Sequence, residues 1–264
     1  MNFIKVNNIT IHFKFIQHTP SGDGGATTFI FINSLGTDFR IWDAVVPVLK
    51  EYGNILLFDK RGHGLSDTAA DTKGLESFLN DLLALLQHLS IIKCTIVGLS
   101  VGGMIAQLLA NHYPEMIDKL ILCDTRHKIG NSITWNERIA AVKEHGLQSI
   151  SDSVMQRWFS ESFRTNQSDR VAGYKNMLER TPTLGYIQTC EAIRDSDLTS
   201  IAKQIKIPAL CIVGSEDKST TPGEVKDLAD LIEGSGYEVI QGSGHIPCVD
   251  NPRALSNIII DFIK

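Results

Sequence analysis

A serine flanked by glycines follows directly on a run of β-branched residues. Residues 98–102 read Gly-Leu-Ser-Val-Gly, the pattern G-x-S-x-G, and an apolar, helix-like segment comes next. In a sharp strand-to-helix turn, small neighbours let a serine hydroxyl stand clear of its backbone, and the N–H groups of the following helix favour negative charge. Ordinary glycine turns also carry this pattern, so its position between strand and helix is the informative part. We therefore predict that Ser100 is a nucleophile.

A serine hydroxyl needs a base to accept its proton. His245 lies in the segment GSGHIPCVDNP, between the last predicted strand and the last predicted helix, and so at the same sheet edge as Ser100. His63 lies in a loop near that edge, where a structural role fits better, and His127 follows a predicted strand and is a candidate for a pocket wall. The other histidines fall in predicted strands, helices or an early loop: His12, His18, His88, His112 and His145. We predict that His245 is the base.

The base in turn needs an acid to orient it, and in this kind of turn the acid stands between the serine and the histidine along the chain. Asp217 directly follows the apolar run 209–214, which places it at the end of a predicted strand. Glu216 is adjacent, but neighbouring side chains point in different directions. Asp124, at the end of another predicted strand, is the rival, with loop capping as its alternative role. We predict that Asp217 is the acid.

Acyl chemistry also needs hydrogen-bond donors for a tetrahedral oxyanion. The backbone N–H of Val101, just after the serine, is one expected donor, and the second is expected from the loop after the third strand. That loop is NSLGTDFRIW, residues 33–42, in which Leu35 is the expected donor. An ordinary glycine turn is the alternative for this loop. All of these parts in the correct order are much more specific than any one of them.

The elements that must position these residues are short apolar runs that alternate with helical patterns. Apolar runs without polar alternation are typical of strands buried on both faces of a parallel sheet. They occupy residues 28–33, 54–59, 95–100, 119–124 and 209–214. Because apolar residues at helical spacing occupy 74–90 and 101–112, the chain reads as βαβ units with a parallel sheet covered on both sides.

The two ends of the chain complete this sheet. Strands at about 3–7 and 9–16 are too close for a crossover helix and are expected to pair as an antiparallel hairpin. Residues 18–28 are polar and glycine-rich, which predicts a loop or hairpin. Near the C-terminus, the residues YEVI predict a last strand, and a helix is expected from about Pro252.

One long segment breaks the alternation. Residues 131–198 show helical patterns and no convincing strand. We interpret this segment as a helical cap inserted over one edge of the sheet. Residues 1–130 and 199–264 then form one core domain around it.

Composition excludes several classes of partner. The chain has 264 residues, of which 43% are hydrophobic, enough for one large core. A net charge of -5 argues against nucleic acid or an anionic membrane as the main partner. The start of the chain alternates like a strand and lacks the layout of a signal peptide. Five cysteines without C-x-x-C spacing indicate reduced thiols: Cys94, Cys123, Cys190, Cys211 and Cys248. We expect a soluble, cytoplasmic protein without a metal site.

These motifs resemble those of the α/β-hydrolase family over essentially the whole chain. The landmarks are DKRGHGLSD (59–67), GLSVGG (98–103), GSEDKSTTP (214–222) and GSGHIPCVDNP (242–252). A closer likeness is to the 3-oxoadipate enol-lactonases, carried by NSLGTDFRIWD (33–43), WNERI (135–139) and GYIQTCEAIRDSDL (185–198). The resemblance implies an α/β-hydrolase fold, with a mostly parallel eight-stranded sheet flanked by helices and an inserted helical cap.

The resemblance also implies an activity. It implies hydrolysis of a small carboxylated lactone, 3-oxoadipate enol-lactone, in the β-ketoadipate route of aromatic catabolism, without metal or organic cofactor. Ser100, Asp217 and His245 fall on the family's triad positions, and Leu35 and Val101 fall on its oxyanion positions. A general carboxylesterase, a carbon–carbon bond hydrolase and a receptor-like binding protein of the same fold stay open as alternatives. A haloalkane dehalogenase is excluded, because it requires an aspartate where Ser100 stands.

A carboxylated substrate calls for a cation, ideally an arginine that forms two parallel hydrogen bonds. The candidates are Arg126, Arg138 and Arg194, each with a solvated surface position as its alternative. Two tryptophans are candidates to pack against the substrate ring, with core packing as the alternative: Trp42 and Trp135. Arg126 and His127 stand where the resemblance leads us to expect small residues, and the residues after His245 also depart from the expected polar pair. We therefore expect this pocket wall to differ from the family's.

Overall fold

The computed structural model describes residues 1–18 and 27–264, so most of the predicted loop at 18–28 lies outside the described residues. Eight strands form one sheet: β1 (Asn2–Val6), β2 (Ile9–Ile16), β3 (Thr28–Ile32), β4 (Asn54–Phe58), β5 (Cys94–Leu99), β6 (Ile117–Cys123), β7 (Ala209–Gly214) and β8 (Gly236–Ile240). Their order is β1-β2-β4-β3-β5-β6-β7-β8. β1 pairs with β2 and β2 with β4 in antiparallel fashion, and every other pairing is parallel. The mostly parallel sheet and its N-terminal hairpin are confirmed.

Strand burial explains why the strands were visible in the sequence. All residues of β3, β5 and β7 are buried, as expected for central strands with both faces covered. The edge strand β8 instead alternates between exposed and half-buried residues before its buried last residue, Ile240. Because the carboxyl ends of parallel strands share one edge of the sheet, the loops after β3, β5, β6, β7 and β8 meet there.

The α-helices of the described chain are α1 (Val46–Leu49), α2 (Gly74–His88), α3 (Val101–His112), α4 (Ser132–His145), α5 (Gln148–Trp158), α6 (Glu161–Asn166), α7 (Ser168–Glu179), α8 (Thr183–Arg194), α9 (Thr199–Gln204), α10 (Pro222–Leu231), α11 (Pro247–Asp250) and α12 (Pro252–Ile263). α3 packs on β3, β5 and β6, while α10 packs on β7 and β8. In the described ranges, no helix combines the length and apolar character needed to cross a bilayer.

The chain between β6 and β7 is helical wherever it has regular structure. We call α4 to α8 the helical segment. Within it, α4 packs on α5 and α8, and α5 packs on α7. α8 also contacts α2, which ties the helical segment to the rest of the molecule, whereas α9 packs on α3 and α10. These contacts fit a cap over residues 131–198, and the division into cap and core stays a prediction.

Candidate active site

Ser100 stands in the turn between β5 and α3, and its backbone is strained. Its φ of 57° and ψ of -120° lie outside the regions that residues with a side chain favour. Glycines are required on both sides. A Cβ on Gly98 would lie 2.5 Å from the carbonyl oxygen of Gly102, and one on Gly102 would lie 2.2 Å from that of Ile32. The carbonyl of Ser100 accepts a 2.6 Å hydrogen bond from the Thr125 hydroxyl, which holds the turn in place.

His245 and Asp217 form a buried pair at the same sheet edge. Nδ1 of His245 lies 2.8 Å from Oδ2 of Asp217. Asp217 also accepts hydrogen bonds from the N–H of Ser219 at 2.7 Å, the N–H of Thr220 at 3.1 Å and the Thr220 hydroxyl at 2.7 Å. Burial opposes ionisation of Asp217, but the charge of His245 and these donors outweigh it and lower the pKa of the carboxyl. An ionised Asp217 requires the proton on Nδ1, which leaves Nε2 free to act as a base.

One cavity of about 540 Å³ brings Ser100, His245 and Leu35 together in its wall. The backbone N–H groups of Leu35 and Val101 donate to no acceptor in residues 1–18 and 27–264, so both are free to bind an oxyanion. The Ser100 hydroxyl makes no hydrogen bond to Nε2 of His245 in this resting arrangement. Such contacts are often loose in unliganded enzymes and tighten when substrate binds.

The loop that carries Leu35 is anchored by its first residue. Asn33 donates through Nδ2 to the carbonyl of Phe58 at 3.0 Å, and its Oδ1 accepts from Nε1 of Trp42 at 2.9 Å. Trp42 is completely buried and packs against Phe31, with 4.9 Å between ring centroids. Trp42 does not line the cavity, and the structure places it in the core, the alternative that the sequence analysis left open. Its apolar body fills the core, and its one polar atom is used to hold Asn33.

Comparison with known proteins places this geometry in a family. The sequence model described as alpha/beta hydrolase fold matches residues 27–252. The chain belongs to the alpha/beta hydrolase family. This hydrolase is 32% identical to 3-oxoadipate enol-lactonase 2 of Acinetobacter baylyi, over 94% of this chain and 93% of that protein. It is also 32% identical to 3-oxoadipate enol-lactonase 1 of the same organism, over 92% and 91% of the two chains.

A solved structure agrees with these sequence relatives. The enol-lactonase from Burkholderia xenovorans LB400 superposes on this hydrolase with a TM-score of 0.94 and 30% sequence identity, covering 99% of each chain. The α/β-hydrolase fold that the resemblance implied is thus confirmed, and so is the likeness to the enol-lactonases.

The helical segment supplies the cationic part of the cavity wall. Arg138 of α4, Arg157 of α5 and Tyr186 of α8 line the cavity together with Trp135. The guanidinium carbon of Arg138 lies 5.0 Å from the centroid of the Trp135 ring. Burial and the neighbouring charge of Arg138 lower the pKa of Arg157. Burial also raises the pKa of Tyr186, and both arginines oppose that shift, which places the three side chains close together.

These two arginines are not neutralised by the protein. Neither Arg138 nor Arg157 forms an ion pair with an acidic side chain of the described chain, although Glu137 also lines the cavity. Lys218 adds another cation to the wall. Two unpaired guanidinium groups side by side repel each other, so the cavity of the hydrolase is suited to an anion.

The structure places the other two candidate arginines elsewhere. Arg126 pairs with Glu224 at 2.5 Å, and Arg194 pairs with Asp195 at 2.7 Å. Neither lines the cavity, nor does His127, the other candidate for its wall. In this arrangement the charges of Arg126 and Arg194 are used in ion pairs between protein side chains, outside the cavity.

Sequence reasoning missed Arg157, although a signal was present. Ile150, Val154 and Arg157 follow one another at helical spacing along α5, and all three line the cavity. An arginine that continues such a stripe indicates a cation on the same cavity wall, although Arg157 itself is exposed to solvent there. Tyr186 was missed as well, since it lies in a segment quoted only for its likeness to the family.

Asp124, the rival acid, lies directly behind the His245–Asp217 pair. Its Oδ1 accepts the N–H of Gly214 at 2.9 Å, and Oδ2 has no N–H or O–H donor in the described chain. Carboxylate oxygens of Asp124 and Asp217 and a ring nitrogen of His245 all lie within 4.8 Å of one another. Complete burial and the charge of Asp217 raise the pKa of Asp124 well above its usual value. Burial and this neighbour therefore favour the neutral form of Asp124 over its carboxylate.

The loop that carries His245 is tied to the helical segment. The N–H of Ile246 donates to the carbonyl of Trp158 at 3.2 Å, at the end of α5. Asp250 accepts from the N–H of Gly244 at 2.7 Å and from the N–H of Ser160 at 2.9 Å. Two independent sets of hydrogen bonds therefore fix this loop against the chain that directly follows Arg157.

Proposed function

We propose that this hydrolase opens 3-oxoadipate enol-lactone to 3-oxoadipate, in the β-ketoadipate pathway of aromatic catabolism, with Ser100, His245 and Asp217 as its catalytic residues. The observation that carries the proposal is the pair Arg138 and Arg157, unpaired cations in the same cavity as the nucleophile. A cavity that binds only neutral esters does not need two unpaired cations in its wall. The enol-lactonase relatives support the same substrate class.

The reaction begins when Oγ of Ser100 attacks the lactone carbonyl carbon while Nε2 of His245 takes the hydroxyl proton. The negative charge that develops on the carbonyl oxygen is stabilised by the N–H groups of Leu35 and Val101. Asp217 keeps the proton of His245 on Nδ1 and stabilises the imidazolium that forms.

Collapse of the tetrahedral intermediate breaks the bond between the carbonyl carbon and the ring oxygen. The ring oxygen leaves as an enol, which takes its proton from His245 and reverts to the ketone. Little acid assistance is needed, because an enol is a stabilised leaving group. A water molecule, deprotonated by His245, then attacks the acyl-enzyme and releases the acid and the free hydroxyl of Ser100.

The substrate carboxylate is placed by the two arginines in this proposal. A guanidinium presents paired N–H groups that match the two oxygens of a carboxylate. Trp135 also lines the cavity, where it holds the guanidinium of Arg138 over its ring, and it is proposed to pack against the lactone. Binding the carboxylate also relieves the repulsion between Arg138 and Arg157, so the charge of the substrate contributes to its affinity.

The test compares the enol-lactone with its methyl ester, which has the same ring but no charge. We expect kcat/KM to be about 100-fold higher for the acid, the effect of one charge-assisted bidentate contact. Equal values for the two would indicate the alternative, a general carboxylesterase. Turnover of a carbon–carbon ring-cleavage product in preference to both would indicate the other alternative. Ser100→Ala is expected to abolish turnover of every substrate.

We also propose a reducing compartment, the cytoplasm, as the place of action. All five cysteines are free and buried. Burial raises the pKa of Cys94, Cys190 and Cys211 to about 12, so these thiols stay protonated and unreactive. Thiols kept in this way suit a compartment in which disulfides do not form.

A further inference from the structure

A buried lysine lies beneath the loop that carries the expected oxyanion donor. Lys60 follows β4 in the segment DKRGHGLSD, and only 1% of it is exposed. Its Nζ donates a 2.6 Å hydrogen bond to the carbonyl oxygen of Ser34. Burying a lysine costs free energy, and the reaction described above gives this one no role.

The carbonyl that Lys60 contacts belongs to a particular peptide unit. The C=O of Ser34 and the N–H of Leu35 are the two ends of one planar amide, so the donors on the oxygen fix the direction of the N–H. These donors are Nζ of Lys60 and, at longer distances, the hydroxyl of Thr37 at 3.0 Å and its N–H at 3.4 Å, and only Lys60 carries a charge. It also draws electron density toward the oxygen, which makes the N–H a stronger donor. A charged donor such as an ammonium group polarises the amide more strongly than a neutral donor does.

The next peptide unit is fixed from its other side. The N–H of Gly36 donates to Nε2 of His63 at 3.0 Å, and Nδ1 of His63 lies 3.2 Å from the carbonyl of Arg61. Burial and the charge of Lys60 lower the pKa of His63 well below 6.5, so this imidazole is neutral and accepts with Nε2. The amide of Leu35 therefore lies between two anchored points, and Lys60 is the charged one.

We propose that Lys60 is a positioning residue, whose ammonium group orients and polarises the Ser34–Leu35 peptide so that the N–H of Leu35 stabilises the oxyanion. This inference rests on the proposed acyl-enzyme function but not on the identity of the substrate, because every acyl transfer passes through an oxyanion.

The charge on Lys60 depends on pH. Burial lowers the pKa of Lys60 to about 7, while Asp59 directly after β4 and Asp38 in the loop after β3 act in the opposite direction. His63 also faces Lys60 and is neutral. As the pH rises through about 7, Lys60 loses its proton and the help it gives to the N–H of Leu35 declines.

Lys60→Met tests the proposal, since methionine has a similar length and no charge. Lys119→Met is the matched control, because Lys119 also donates a 2.6 Å hydrogen bond to a backbone carbonyl, that of Phe262, away from the cavity. With p-nitrophenyl acetate at pH 6, we expect Lys60→Met to lower kcat about 10- to 100-fold with little change in KM, and Lys119→Met to leave both unchanged. The ratio of wild-type to Lys60→Met activity is expected to shrink as the pH rises from 6 to 9. A ratio that does not change with pH overturns the proposal.

Inhibitor binding separates a positioning role from a merely structural one. A trifluoromethyl ketone forms an oxyanion adduct with Ser100, whereas the matching methyl ketone binds mainly without one. Lys60→Met is expected to weaken the first inhibitor at least 10-fold and to leave the second unchanged. Equal losses for both inhibitors overturn the proposal.

A measurement on the wild-type protein covers the case in which Lys60→Met does not fold. The ¹³C shift of the Ser34 carbonyl is expected to titrate near pH 7, and a constant shift between pH 6 and 9 overturns the proposal.

Failure of the proposed function would give different results from failure of this inference. Full esterase activity in Ser100→Ala refutes the acyl-enzyme, and absence of lactone turnover alone refutes only the substrate.

Discussion

Oδ2 of Asp124 is buried beside the carboxylate of Asp217 without an N–H or O–H donor from the described chain. Two ionised carboxylates do not share such a space, because their repulsion is not screened by water. A proton on Asp124 resolves the conflict, since the acid can then donate to Asp217. The raised pKa of Asp124 thus favours its neutral form behind Asp217, the residue proposed to orient the base.

Asp124→Asn tests that protonation through stability. Because the pKa of Asp124 is raised in the folded protein, folding takes up a proton once the pH exceeds the unfolded pKa of about 4, and stability falls as the pH rises further. Protonation of Asp124 makes the free energy of unfolding fall by about 1.4 kcal/mol per pH unit until the pH reaches the pKa of this group in the folded protein. Asparagine supplies a permanent donor, so the variant is expected to lose this slope in urea unfolding between pH 5 and 7. The exposed Asp261→Asn serves as control, and identical slopes for Asp124→Asn and wild type would show Asp124 to be ionised.

Asp217→Asn is expected to lower kcat by about 10³- to 10⁴-fold, because an amide no longer holds the proton of His245 on Nδ1. Glu216→Gln is the neighbouring control. Glu216 accepts the N–H of Glu161 at 3.1 Å and has no contact with His245, so its variant should keep full activity. The measurement is single-turnover acylation by p-nitrophenyl acetate. A small effect of Asp217→Asn would point to Asp124 as the orienting acid.

Arg138→Met and Arg157→Met are each expected to lower kcat/KM for the enol-lactone by about 10- to 100-fold, the effect of a hydrogen bond between charged groups. With p-nitrophenyl acetate, which carries no carboxylate, both variants should lie close to wild type. Arg194→Met is the control, since Arg194 pairs with Asp195 outside the cavity. If the two cavity variants lose activity equally on both substrates, the arginines support the structure and do not recognise charge.

Trp42→Phe is expected to reduce the free energy of unfolding by about 1–3 kcal/mol, because Oδ1 of Asn33 loses its donor inside the core. KM for the lactone should not change, since Trp42 does not reach the cavity. Denaturant unfolding and steady-state kinetics on the same preparation check both statements. A raised KM at unchanged stability would instead favour the substrate contact for which the sequence analysis made Trp42 a candidate.

The sequence predicted the sheet well, because its central strands are buried on both faces and therefore read as continuous apolar runs. The placement of Ser100, Asp217 and His245 at one edge also followed from strand order, since each residue lies at the end of a predicted strand or in the loop that follows one. The residues that line the cavity could not be predicted from strand order. Whether an arginine faces a cavity or a carboxylate depends on partners far away in the chain, such as Glu224 for Arg126.

Trp42 shows that sequence alone also does not predict what an aromatic side chain packs against. An aromatic residue next to an oxyanion loop looks the same in sequence whether it faces the substrate or the core. Its burial depends on Phe31 and Asn33, which the strand before it brings into place. Lys60 was visible within a family motif, but its contact with Ser34 depends on how two loops meet.

The hydrogen bond between the N–H of Ile246 and the carbonyl of Trp158 joins the immediate neighbours of His245 and Arg157. The group proposed to bind the charge of the substrate and the group proposed to move its proton are therefore parts of one mechanical unit. A ligand that draws α5 toward its carboxylate also moves the imidazole. Under the proposed function, binding of the substrate charge and positioning of the base are therefore mechanically linked through this one hydrogen bond.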